Sequence, residues 1–147
     1  MMKILLPVDG SPLSLEAVAY AVRLVREGLQ ASMVLANVQE PATLYELVVA
    51  HDADVLAQVS TEAGKHLLQA AQAMLTKQGI AFETEIASGD AAHMLVDMVE
   101  RFGCDMVIMG ARGTSSLRSA LLGSVSNEVL HASPVPVVIV KPASSEE

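Results

Sequence analysis

Five short aliphatic runs, each separated from the next by a stretch of helical periodicity, leave few folds open to this chain. The runs are Lys3 to Val8 (KILLPV), Ser32 to Val38 (SMVLANV), Phe82 to Ala87 (FETEIA), Asp105 to Met109 (DMVIM) and Val135 to Lys141 (VPVVIVK). Four are almost continuously aliphatic, the pattern of parallel strands covered on both faces. The third alternates, with Phe82, Thr84 and Ile86 on one side and Glu83 and Glu85 on the other. A half-solvated strand of that kind belongs at a sheet edge. Between the runs, Ser11 can cap a helix whose first position is Pro12, and Leu15, Val18, Ala19, Val22 and Val25 recur at helical spacing. A long amphipathic stretch from about Ala53 to Gln78 ends at Gly79. Asp90 opens a shorter one, with Met94, Leu95, Met98, Val99 and Phe102 on one stripe and Gly103 closing it; a last helix runs from near Gly123 to about His131. Strands separated by helices imply right-handed crossovers. The expected fold is α/β, a single-domain, doubly wound five-stranded parallel sheet with helices on both faces. Pro41 to Asp54 has no clear period and reads either as a mobile flap or as the first turns of the long helix. Residues 1–142 read as one domain and 143–147 as a short acidic tail that frays.

Composition narrows the function. At 147 residues the chain has room for one real core. A formal charge of −8 repels phosphate backbones, and 3% aromatic residues with no Trp leave little to stack on bases, so nucleic-acid binding is disfavoured. The single cysteine, Cys104, excludes an internal disulfide framework and fits a reducing compartment. The opening apolar stretch, Ile4 to Val8, is too short for a secretory signal, and no apolar run approaches the roughly 20 residues of a membrane span. The expectation is a cytoplasmic protein without membrane or nucleic-acid partners.

In an open parallel sheet, ligands sit outside the carboxyl ends of the strands. Four loops leave those ends: Asp9-Gly10-Ser11, the turn after Val38, Ser88-Gly89-Asp90, and the stretch after Met109. The last, Gly110 to Ser126, has three glycines, six Ser or Thr, two arginines and no acid, which suits an anion. Glycines let backbone N–H groups approach phosphate oxygens, hydroxyls add donors, and a helix starting near Gly123-Ser124 points its free N–H groups and positive dipole end at the same place. Gly110-x2-Gly113 is neither the dinucleotide G-x-G-x-x-G nor the G-x-x-x-x-G-K-[ST] loop, and the one Gly-Lys pair, Gly64-Lys65, lies inside a helix pattern, which rules out a standard P-loop NTPase.

The spacing that is present, Gly110-x2-Gly113-x9-Gly123-Ser124, resembles the nucleotide-binding signature of the universal stress protein family. The resemblance covers nearly the whole chain: ILLPVDGS (Ile4 to Ser11), the strand ending Asn37-Val38, DMVIMGARG (Asp105 to Gly113), LLGSVS (Leu121 to Ser126) and the ending Pro134 to Val137. It implies a Rossmann-like, adenine nucleotide alpha hydrolase-like fold and membership of the ATP-binding branch. Residue by residue, it implies that Gly110 and Gly113 contact ribose and phosphates. Gly123, Ser124 and Val125 would hold the phosphates at the helix start, beside Ser126. Pro7, Val8 and Asp9 would face the adenine, and Val38 main-chain groups would meet the base edge. Met109 and Arg112 flank the glycines; Arg112 fills a slot the family allows to vary, and Arg118 lies in mid-loop. Independently of the resemblance, Asp9 belongs at the adenosine end, because a carboxylate beside a triphosphate is repelled. The loop holds no carboxylate, so Mg2+ arriving with ATP would be held mainly by phosphate oxygens and water, with at most one hydroxyl such as Ser124. The family also pairs its last strand across a two-fold axis, which implies a homodimer through Val135 to Lys141, with Pro134 and Pro136 limiting how far the pairing extends.

Other features read more simply. His51-Asp52-Ala53-Asp54 fits a solvated helix start better than a metal cluster, and His66, His93 and His131 lie on separate elements without ligand spacing. Cys104 reads as an inert small hydrophobe. No Ser/His/Asp or Cys/His arrangement nominates a nucleophile, so no catalytic or metal-ligating residue is assigned. Three functions compete. The first is a nucleotide-responsive regulator in which ATP orders the Gly113 to Gly123 loop and the Pro41 to Asp54 flap. The second is a slow ATPase or phosphotransferase, which needs a base the loop lacks. The third is a nucleotide-independent, chaperone-like scaffold that leaves the glycine loop idle. The first fits best.

Overall fold

The computed structural model describes residues 1–39, 53–112 and 122–142, with residues 53–57 and 60 described by backbone alone. Within them lie five strands, β1 (Met2–Pro7), β2 (Ala31–Gln39), β3 (Phe82–Ser88), β4 (Met106–Gly110) and β5 (Val137–Val140). Four helices connect them: α1 (Pro12–Arg26), α2 (Ala53–Lys77), α3 (Ala91–Phe102) and α4 (Ser124–Ala132). All strand pairs are parallel, in the order β3-β2-β1-β4-β5. The alternating, charged strand is at an edge, as its pattern requires, and the expected fold class holds.

The helix boundaries follow from local chemistry. Ser11 caps α1, its hydroxyl accepting from the Ser14 N–H at 3.2 Å while the Ser14 hydroxyl donates to the Ser11 carbonyl, with Pro12 at the first position. Asp90 caps α3 through the His93 N–H at 3.0 Å, and Gly103 ends that helix in the left-handed region at φ 65°. Of the stretch read as flap or helix start, residues 41–52 lie outside the described residues; Ala53 and Asp54 open α2.

Side-chain alternation along the strands divides the core into two layers. Ile4, Leu6, Met33, Leu35 and Ile108 pack beneath Ala17, Val18, Ala21 and Val22 of α1 and Leu68, Ala71 and Leu75 of α2. Leu5, Val34, Ala36, Val107 and Met109 pack on the other face against Ala92, Leu95, Met98 and Val99 of α3 and Val129 of α4. Neighbouring residues on one strand therefore serve opposite layers, and Ile4, Leu5 and Leu6 are all fully buried. Each buried aliphatic side chain of this kind contributes about 1.5–3 kcal/mol.

One topological consequence positions the site. β1 and β4 are neighbours, paired Ile4 with Met106 and Leu5 with Val107. Yet the chain leaves β1 into α1 on one face and β4 into α4 on the other. Their carboxyl ends diverge and leave a crevice at the topological switch point.

Candidate functional site at the switch point

The β1 side of the crevice is closely tied down. The Val8 N–H donates to the Ala36 carbonyl at 2.8 Å, continuing the β1–β2 ladder by one residue. The Val8 carbonyl accepts from Asn37 Nδ2, also at 2.8 Å. Both main-chain groups of Val8 are thus engaged, leaving no free N–H, and its side chain is buried. The chain then turns: the Asp9 carboxylate accepts from the Ser11 N–H at 2.9 Å, and Gly10 takes φ +86° beside Leu67 of α2. The β1–β2 register places Val38 level with Asp9.

The β4 side is built around one carbonyl. Ala111 donates its N–H to the Val140 carbonyl at 2.9 Å, and its own carbonyl accepts from the Gly123 N–H at 2.8 Å and from the Ser126 hydroxyl at 2.5 Å. Gly123 also packs against Arg112: a Cβ there would lie 3.4 Å from the Arg112 Cα. The start of α4 is therefore pinned beside the end of β4. Gly123 is its N-cap residue and supplies no side-chain cap, so the first-turn N–H groups of Ser124, Val125 and Ser126 face outward with the positive end of the dipole. Gly110 serves a different fit. A Cβ there would lie 3.1 Å from Leu13 Cγ and 3.2 Å from the Leu13 carbonyl oxygen, so a side chain at this position would press α1 away from the end of β4.

Of the residues expected at the site, Pro7, Val8, Asp9 and Val38 lie on the β1 side, Met109, Gly110 and Arg112 at the end of β4, and Gly123, Ser124, Val125 and Ser126 at the start of α4. Gly113 and Arg118 lie outside the described residues. Two side chains have other duties. Met109 is buried in the α3–α4 layer, and the buried Ser126 hydroxyl binds the Ala111 and Gly123 carbonyls. What these two present to the crevice is backbone.

Sequence reading missed the support for the β1 side. Asn37 is buried, holding the Val8 carbonyl while its own Oδ1 accepts from Gln39 Nε2 at 2.6 Å. Gly64 of α2 is the space that admits this amide, since a Cβ there would lie 2.9 Å from Asn37 Oδ1 and 2.6 Å from Ile86 Cγ2. Two signals pointed to it: a polar residue inside an aliphatic strand must find a partner, and a glycine inside a helix costs about 1 kcal/mol relative to alanine.

Cys104 is at the opposite end of the sheet, buried in the α3–α4 layer. Burial pushes its thiol up to about 11, Asp105 and Glu83 push the same way, and Lys3 opposes them. At neutral pH it is a protonated, unreactive thiol. Among the described residues, no group of three His, Cys, Asp or Glu side chains could hold a metal ion, and no helix is long and apolar enough to cross a membrane.

The switch-point crevice and the pinned helix start define a class, the Rossmann-like α/β proteins of adenine nucleotide alpha hydrolase-like type. Comparison with known proteins narrows it. The chain matches the universal stress protein family over residues 1–141 and belongs to that family. The universal stress protein YxiE of Bacillus subtilis is 31% identical over 146 residues, covering 95% of this chain and 98% of its own. The solved structure of MJ0577, a universal stress protein of Methanocaldococcus jannaschii, has a TM-score of 0.83 at 27% identity and covers 97% of each chain. That of a universal stress protein in complex with cAMP has a TM-score of 0.68 at 26% identity, covering 95% of this chain and 96% of the other.

Proposed function

We propose that this chain is an ATP-binding regulator of the stress response, a cytoplasmic homodimer with one nucleotide site per subunit. The observation that carries the reading is the start of α4, held by the Ala111 carbonyl beside the end of β4 at the switch point. Its outward N–H groups meet the spacing Gly110-x2-Gly113-x9-Gly123-Ser124 in the same stretch of chain. The triphosphate lies along Gly110, Gly113 and the first turn of α4, with Arg112 beside it. The adenosine lies toward Pro7, Asp9 and Val38. The base edge is met by main-chain groups of Val38, level with Asp9 in the β1–β2 register. Mg2+ entering with the phosphates would be held mainly by phosphate oxygens and water, with at most one hydroxyl such as Ser124. A relative's structure with cAMP supports an adenine nucleotide as the ligand class. Occupancy changes the surface around the crevice that a partner meets.

The dimer uses the β5 edge. The Pro136 and Val140 carbonyls accept from Val107 of β4 and from Ala111 just after it. By strand alternation, the main-chain groups of Val137 and Ile139 point to the open side, where no strand lies among the described residues. Ile139→Pro removes an edge donor without touching the β4 ladder. Light scattering is expected to show a dimer for the wild type and a monomer for the variant; a monomeric wild type contradicts this pairing.

The site is tested by melting nucleotide-stripped protein with Mg2+–ATP. At about 100 times Kd, one-site binding adds about 2.7 kcal/mol and raises the midpoint. Ser124→Asp places a carboxylate at the start of α4, which stabilises the free helix by about 0.3–1 kcal/mol but repels phosphate. The free variant is expected to melt no lower than wild type, with the ATP response lost. A wild-type midpoint that ATP does not move contradicts the reading.

A further inference from the structure

The hydrogen bonds of Asn37 go to Val8 and Gln39, on the β1 side of the crevice, where the geometry of the β1 turn is decided. Its Nδ2 donates to the Val8 carbonyl at 2.8 Å, across 29 positions of sequence, and the Val8 N–H is already fixed to Ala36. The carbonyl belongs to the peptide that leads into Asp9 and the N–H to the peptide before it, so the two bonds hold the peptide planes on either side of Val8. Asp9 then folds its carboxylate onto the Ser11 N–H. The amide cannot swing away, because Gln39 Nε2 donates to its Oδ1 from the β2 end. On the α2 side, Gly64 leaves it no more room than a missing methyl group provides. A buried hydrogen-bond donor aimed at an otherwise buried carbonyl fixes geometry as well as energy.

We propose that Asn37 is a positioning residue of the nucleotide site: it acts through the Val8 carbonyl to hold the Val8–Asp9 turn in the conformation that receives the adenosine. Gly64 is glycine so that this amide can reach its place. The proposal rests on the nucleotide reading given above. A residue that only stabilises the fold lowers the melting temperature and leaves the affinity of the folded protein unchanged. A positioning residue changes the affinity of protein that is still folded.

The experiment titrates Mg2+–ATP into four nucleotide-stripped proteins, each held well below its own melting temperature: wild type, Asn37→Ser, Asn37→Asp and Cys104→Ser. Asn37→Ser shortens the donor out of reach of Val8. Asn37→Asp keeps the shape and, when ionised, has no donor. Cys104→Ser perturbs the buried core at the far end of the sheet and serves as the control for generic loosening. Both Asn37 variants are expected to bind ATP about tenfold more weakly, the loss a missing buried hydrogen bond produces, while Cys104→Ser binds like wild type. Relative to wild type at the same pH, the Asn37→Asp deficit is expected to shrink toward about pH 5, as protonation restores an O–H donor. Wild-type affinity in both Asn37 variants overturns the proposal, as does an equal loss in Cys104→Ser. If one Asn37 variant fails to fold, the other decides. Absence of binding in the wild type itself overturns the nucleotide reading and this proposal with it, and is recognised because it appears in the unmutated chain.

Discussion

The two ends of this sheet use glycine for opposite purposes. At the amino end, Gly28, Gly79 and Gly103 follow helices, and a Cβ on any of them would meet nothing within 4 Å. They let the chain turn back. Toward the carboxyl end, a Cβ would come within 2.6 Å of a neighbour at Gly10 and Gly64, 3.1 Å at Gly110 and 3.4 Å at Gly123. These four let backbones and side chains approach one another around the crevice. The polar groups divide similarly. At the amino end, Lys3 pairs with Glu83 at 3.2 Å, and its N–H donates to the Asp105 carboxylate at 2.9 Å. At the carboxyl end the corresponding ties are buried hydrogen bonds, Asn37 to Val8 and Ser126 to Ala111. At the amino end the constraint on the three glycines is backbone conformation, since all three take positive φ, and not the space around them. At the other, neighbouring groups lie close enough that an added Cβ would press on them.

Three substitutions sharpen that contrast. The largest effect is expected from Gly110→Val, whose branched side chain would press on the backbone of Leu13. Overpacking of this kind costs about 1–3 kcal/mol, and contact with backbone atoms of Leu13 as well as its side chain favours the upper value. Chemical denaturation would measure it, and a loss near zero would show that α1 can shift away from β4. Gly103→Ala meets open space and carries only the left-handed strain, about 1–2 kcal/mol. It is expected to lower the melting temperature while leaving the ATP-induced shift unchanged; a lost ATP response would place the amino end in the site.

The smallest effect is a pH dependence from Cys104. Its thiol is raised in the folded protein, from 9.0 to about 11, so above about pH 9 the unfolded chain releases a proton that the folded chain keeps. The unfolded state then binds fewer protons, and stability falls as pH rises between about 9 and 11. Wild type minus Cys104→Ala, measured by urea unfolding across that range, isolates the contribution. Parallel curves for the two proteins would show that the thiol is not buried in the folded state.

The sequence made much of this legible, and for identifiable reasons. Aliphatic runs covered on both faces marked the strands to within two residues at each end, and the Glu83–Glu85 alternation marked β3 as an edge. Ser11-Pro12, Asp90 and the helix-ending glycines are local signals, readable because capping depends on near neighbours. The contacts around the crevice are not local. Nothing in the order of residues says that the Asn37 amide takes the Val8 carbonyl, that Ser126 turns to Ala111, or that Leu13 sits against Gly110. Those pairings exist only after the strands are in register. The glycine spacing singled out the stretch after β4, while the packing duties of Gly110 and Gly123 had to come from the fold.

The central claim is that an adenine nucleotide occupies the carboxyl end of the sheet, and amide chemical shifts during an ATP titration test it most directly. The account predicts saturable shifts, with one-to-one stoichiometry per chain, at Asp9, Val38, Ala111, Ser124 and Val125, while Gly28, Gly79 and Gly103 stay in place. Shifts confined to the amino end, or none at saturating Mg2+–ATP, would contradict it.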